Sequence, residues 1–162
     1  MRKEGIDMKY RSDFVTNSSS SSFIVVFDNE EAAKNSYNDM IAKGWQKEVV
    51  DVIYKDILGC KSTYEDALSL VASGVDVYYE FFRAYPESRK NGDFYYYWED
   101  ERYKKMLKEK KDRIIKAFME RVPKDKYIAI IEYGDEDGSF YSDLEHEIMP
   151  EMDFVDCSIS HH

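Results

Sequence analysis

Two short runs of β-branched and aromatic residues decide what this chain can fold into. Phe23-Ile24-Val25-Val26-Phe27 lies near one end, and residues 127–133 (Tyr-Ile-Ala-Ile-Ile-Glu-Tyr) lie near the other. Both have the length and composition of buried strands. Between them the apolar spacing changes from two to about 3.6. Ala33, Tyr37, Met40 and Ile41 share one helical face, opened by a capping-box-like Asp28…Glu31 and stopped at Gly44. A second helix is predicted over residues 45–58, with Gly59 as its terminator. Ser62-Thr63-Tyr64-Glu65 reads as a capping box for a third helix ending near Gly74. A long helix over residues 98–121 carries Tyr103, Met106, Leu107, Ile114, Ala117 and Phe118 as its stripe, with Pro123 just beyond. Residues 75–82 fit two patterns. The alternation Val75, Val77, Tyr79, Phe81, starting with Val after Gly, favours a strand over the helical face Val77, Phe81, Tyr85.

The last part of the chain reads as a three-stranded meander. Residues 127–133 form its first strand, Gly134-Asp135-Glu136-Asp137-Gly138 a turn, residues 140–148 the return, and residues 153–161 the third strand after Pro150. The expected architecture is therefore α+β, a mainly antiparallel sheet covered by about four helices. Residues 1–22 are expected to be an N-terminal extension with a Ser-rich tract, and residues 23–162 a single domain.

Alternation along the return strand sorts its polar residues. Asp143, Glu145 and Glu147 fall on one face as an acidic surface, and Leu144, His146 and Ile148 on the other. His146 is then expected in the core under Tyr127. A hairpin about Pro150 separates His146 from His161 by roughly 20 Å at 3.3 Å per residue, which excludes a joint metal site. The same register brings His161 and His162 beside the turn holding Asp135 and Asp137. Two carboxylates with imidazoles suit Zn²⁺ or Mn²⁺, so these four are the candidate metal ligands. The turn lacks the EF-hand calcium spacing.

Charge is distributed unevenly. The chain of 162 residues has 33 acidic and 23 basic side chains, a net charge of −10. Ten of the acids lie in residues 132–162, which contain no Lys or Arg. The remainder holds 23 acids against 23 bases and is neutral. The acidic end is a solvated face, a cation site or a docking surface for a basic partner. Such a surface repels phosphate backbones, so no direct nucleic-acid binding is expected. Apolar runs reach about five residues, too short to span a membrane. The N-terminus has no apolar signal segment, and two distant cysteines, Cys60 and Cys157, read as reduced thiols in the cytoplasm. No P-loop, G-x-G-x-x-G or G-x-S-x-G occurs, and a Cys157–His161 pair is four residues apart along one strand, too far for catalysis.

Ser18, Ser19, Ser20, Ser21 and Ser22 read as a flexible segment, a polar strand extension or an acceptor tract for hydroxyl modification. Phe94-Tyr95-Tyr96-Tyr97-Trp98 is a candidate recognition patch. The stretch Tyr10-Arg11-Ser12-Asp13-Phe14-Val15-Thr16-Asn17-Ser18-Ser19-Ser20-Ser21-Ser22-Phe23 resembles the opening of a group of uncharacterised bacterial proteins. The ending, with the Gly134–Gly138 turn, Leu144-Glu145-His146-Glu147 and Ser160-His161-His162, is similar to theirs. That resemblance implies native terminal histidines and brings no activity with it. The leading expectation is a small acidic protein that binds a basic protein partner or a cation through its acidic C-terminal sheet. A metal-dependent hydrolase using Asp135, Asp137, His161 and His162, and an acidic DNA-mimic decoy, are the alternatives.

Overall fold

The computed structural model describes residues 10–11, 20–89 and 96–161. Four strands, β1 (Tyr10–Arg11), β2 (Ser20–Phe27), β3 (Tyr127–Gly134) and β4 (Val155–His161), make one sheet in the order β1-β4-β2-β3. Both long pairings of the central strand β2 are antiparallel, and β1 runs parallel to β4. Between β2 and β3 come five helices: α1 (Glu30–Ala42), α2 (Lys47–Gly59), α3 (Tyr64–Ser73), α4 (Tyr78–Ala84) and α5 (Glu101–Arg121). The protein is α+β, as the two framing runs require.

Each framing run is apolar on both sides, so the sheet needs cover on both faces. Phe23, Val25, Ala129 and Ile131 point to one side and pack on α1 and α2 through Met40, Val50, Ile53 and Ile57. Ile24, Ile128, Cys157 and Ile159 point to the other and meet Ala67 and Val71 of α3 and Phe118 of α5. Each such fully buried large side chain contributes about 1.5–3 kcal/mol. The outer edge of β3 is covered by the turn after α2: the Ile130 amide donates to the Cys60 carbonyl (3.2 Å) and the Ser62 amide to the Ile128 carbonyl (2.8 Å).

α1 and α3 start at side-chain caps, one residue from those read in the sequence. Asn29 accepts from the Ala32 amide (2.8 Å) and Thr63 from the Asp66 amide (3.0 Å). Gly44, at φ 92°, turns the chain between α1 and α2.

Four expectations are corrected. Residues 78–84 are helical, not a strand, because Phe81 inserts against Val77 and Tyr103 in a small aromatic cluster on α5. The return strand of the meander does not form. After Gly138 (φ 110°) the chain runs as a helix, α6 (Ser139–Asp143), then a π-helical turn (Leu144–Ile148) and a 3₁₀ turn (Met149–Glu151). The 3.6 spacing of Tyr141, Leu144, Ile148 and Met149 wins over the period-two pattern, since it puts all four on the α1/α2 side of the core. In a helix His146 turns outward and is exposed, while Glu145 is buried at 3% exposure and so is not part of an acidic surface. Finally, the sheet extends to both sides of the boundary read at residue 23: Ser20, Ser21 and Ser22 belong to β2, as the strand-extension reading of the serine tract has it, with Ser21 and Ser22 buried, and Tyr10 and Arg11 pair with β4.

A bulge in β4 also departs from simple alternation. Val25 pairs with Val155 and Ile24 with Cys157, leaving Asp156 extra. Val155 therefore packs on the α1/α2 side, while Cys157 packs on the α3/α5 side. The displaced Asp156 carboxylate accepts two bonds from Arg121, at 2.8 and 2.7 Å, fastening the end of α5 to the sheet.

Candidate functional site

The chemistry-bearing residues collect at one end of the sheet. Ser20 pairs with Gly134 on one side and His161 on the other. The serine tract, the acidic turn and the terminal histidine are thus neighbours. His161 stands two strands from Gly134, roughly 10 Å at 4.8 Å per strand. Alternation then separates them by face. Ser21, Tyr133 and Ser160 share a row facing α6, and Ser22 and Ile159 face away from it.

On the α6 side, Ser21 Oγ donates to Glu145 Oε1 at 2.6 Å, and Ser160 Oγ lies 3.3 Å from Ser21 Oγ. Glu145 Oε2 is buried and has no hydrogen-bond partner among the described residues. It points toward His146 Nε2, 3.5 Å away, which is itself 3.0 Å from Asp135 Oδ1. One atom from each of Asp135, Glu145 and His146 lies within 4.8 Å of the others. The Ser142 hydroxyl, and after it His146, hold the Asp135 carboxyl below its ordinary range by hydrogen bonding. Helical winding lets consecutive residues 145 and 146 both reach Asp135, which the strand pattern forbade. The Met149 amide bonds back to the Leu144 carbonyl, a five-residue step that widens the turn carrying both side chains.

The other sequence candidates sit apart from this cluster. His161 Nε2 is 2.6 Å from Ser22 Oγ on the opposite face. Asp137 lines a separate cleft of about 410 Å³ with Asp56, Cys60, Glu132, Tyr133 and Tyr141. There Tyr133 donates to Asp56 at 2.8 Å, and burial followed by that bond pushes its phenol far up. Burial also raises both the Cys60 and Cys157 thiols, so neither is an activated nucleophile. His162, Ser18 and Ser19 lie outside the described residues, as do Phe94 and Tyr95 of the aromatic stretch. Tyr97 packs on α4 and α5, whereas Tyr96 and Trp98 are exposed and meet edge-to-face at 5.0 Å.

Around the cluster, Glu132, Glu136, Asp137, Asp143, Glu147 and Glu151 are exposed, and among the described residues none meets a Lys or Arg. Two more acids of this segment do: Asp153 meets Lys43 (2.8 Å) and Asp156 meets Arg121 (2.7 Å). On the basic helix α5, Lys110 pairs with Glu80 and Lys104 with Glu101, while Lys105, Lys108, Lys111 and Arg113 form no ion pair among the described residues. Among the described residues the ion pair of α5 to the acidic segment is Arg121 with Asp156. Glu151 also lines a groove of about 510 Å³ at the Phe27 end of β2, with Phe27, Trp45, Phe154, Asp39 and Lys43. Among the described residues no helix is long and apolar enough to cross a membrane.

Sequence reasoning missed Glu145 and His146 as partners of Asp135. The available signal was the i, i+4 pair Leu144 and Ile148, which marks a helix and puts Glu145 beside the core edge rather than on a sheet surface. Comparison with protein-family models, with curated proteins and with solved structures finds no match to this chain.

Proposed function

We propose that this protein is a binding module for a positively charged protein partner, docked by its acidic C-terminal segment. One observation carries the reading: six exposed carboxylates on residues 132–151 are left uncompensated by Lys or Arg within the described residues. Charges placed so steer association with a basic surface and set its salt dependence. Glu151 also borders a groove at the Phe27 end of β2, where Phe27, Trp45 and Phe154 with Asp39 and Glu151, and with Lys43 held by Asp153, suit the stem and head of a Lys or Arg side chain. Negative potential also disfavours phosphate-bearing ligands.

Two variants of equal net charge test this. One is Glu136→Gln/Asp143→Asn/Glu147→Gln, and the other is Glu48→Gln/Glu65→Gln/Glu109→Gln on exposed helix positions elsewhere. Binding of a labelled Lys/Arg-rich peptide is followed by fluorescence anisotropy from about 50 to 300 mM salt, where screening of exposed charges grows strongly. The first variant is expected to lose most of the affinity and to flatten the salt dependence, and the second to bind like the parent. Equal losses in both variants would reduce the effect to net charge and sink the docking surface.

A further inference from the structure

We propose that Asp135, Glu145 and His146 bind one divalent transition-metal ion, with Zn²⁺ the best fit. The starting point is the buried Glu145 carboxylate. Its side chain is 1% exposed, Ser21 satisfies Oε1, and among the described residues nothing hydrogen-bonds Oε2. Leaving a buried acceptor unpaired costs about 1–3 kcal/mol, and more when the group is charged. The nearest polar hydrogen is no remedy. His146 Nε2 is 3.5 Å from Glu145 Oε2 and 3.0 Å from Asp135 Oδ1, and a single N–H serves one acceptor well.

A cation placed among the three atoms satisfies all of them. Two ligand atoms on a tetrahedral Zn²⁺, each about 2.1 Å from the ion, stand roughly 3.4 Å apart. The two measured separations bracket that value, and the three atoms already lie within 4.8 Å. Two carboxylates neutralise a divalent ion, and an imidazole favours a transition metal over Mg²⁺ or Ca²⁺. Outer-shell support is in place: Ser21 donates to Glu145 Oε1 and orients it. Asp135 and His146, each about half exposed (side chains 45% and 46%), give the ion a way in and leave coordination positions open to solvent. This set shares only Asp135 with the one expected from the sequence, and it stands whether or not a basic partner docks nearby.

The test is calorimetric titration of the full chain, free of any tag, with ZnCl₂ and then MnCl₂. One equivalent of Zn²⁺ is expected with Kd of about 1 μM or tighter, and Mn²⁺ binding weaker, following the usual affinity order. Glu145→Gln and His146→Ala should each weaken Zn²⁺ binding by more than about 100-fold, beyond the 10–100-fold typical of outer-shell changes. Asp137→Asn and His161→Ala should leave it within about 2-fold, inside the effect of a remote charge. His146 is exposed, so its variant folds even where Glu145→Gln does not. No heat from Zn²⁺ with the parent, unchanged affinity in His146→Ala, or loss of binding in His161→Ala would each overturn the site.

Discussion

Gly74 gives the sharpest check on how α3 sits against the sheet. It caps α3 with ordinary right-handed angles (φ −81°, ψ −3°), so the backbone accepts alanine there. Space does not. A Cβ at this position would stand 2.8 Å from Cγ2 and 3.1 Å from Cγ1 of Ile159. Ile159 is 2% exposed on β4, which pairs with β2 at Ser22, and its β-branched χ1 is stiff. The clash is relieved only by shifting the end of α3 or the strand. Inserting a methyl into a tight core costs about 1–3 kcal/mol. Reduced unfolded-state entropy on replacing Gly returns about 0.4–1 kcal/mol. The net expectation for Gly74→Ala is a loss of about 1–2 kcal/mol, a Tm drop of about 2–8 °C for a chain of this length. Ile159→Ala alone should cost about 2–5 kcal/mol. In that background the clash is gone, and Gly74→Ala should become stabilising, a coupling of about 2 kcal/mol between the two sites. Urea unfolding of the four proteins, followed by circular dichroism, reads the cycle. A Gly74→Ala protein as stable as the parent, or one equally destabilised in both backgrounds, would refute the placement of α3 on β4.

Two further outcomes follow from the same sheet. Arg121→Met leaves the Asp156 carboxylate, whose side chain is 11% exposed, without its bidentate partner, and should lower urea stability by about 1–3 kcal/mol; Arg121→Met with Asp156→Leu should recover much of the loss. Burial raises the Cys157 thiol well above its unfolded value of about 8.5, so its contribution is complete below pH 8.5 and is lost as pH rises. Between pH 8.5 and 10 this amounts to about 2 kcal/mol at 1.36 kcal/mol per unit, and Cys157→Ala should show a correspondingly flatter decline in chevron-derived or equilibrium stability; equal slopes would contradict it.

The architecture was legible where one period dominated. Phe23–Phe27 and the Tyr127 strand are apolar on both faces, which demands helices on both sides of a sheet, and α1, α2, α3 and α5 fill that demand within a few residues of the boundaries read from their stripes and terminators. It failed where two periods coexist. Val75 to Phe82 and Phe140 to Ile148 each alternate and also repeat at three and four. What tipped them is tertiary: Phe81 has Tyr103 to pack on, and Leu144 and Met149 have the α1/α2 core.

That second ambiguity also governed the site. As a strand, residues 140–148 send Glu145 and His146 to opposite faces, and the histidine to the core; wound as a widened helical turn, the same two residues project from adjacent positions and both reach the turn at Asp135. The strand register was still informative, because Gly134, Ser20 and His161 do share a row at one end of the sheet. What it could not carry is the face. Ser21 and Ser22 are neighbours in sequence, yet one bonds Glu145 and the other His161, on opposite sides of β2. The pleat therefore splits the candidates read as one metal set into two environments. Only on the Ser21 side does a buried carboxylate oxygen stand without a hydrogen-bond donor among the described residues, and a cation is the ligand that such an oxygen, an imidazole and a second carboxylate can share.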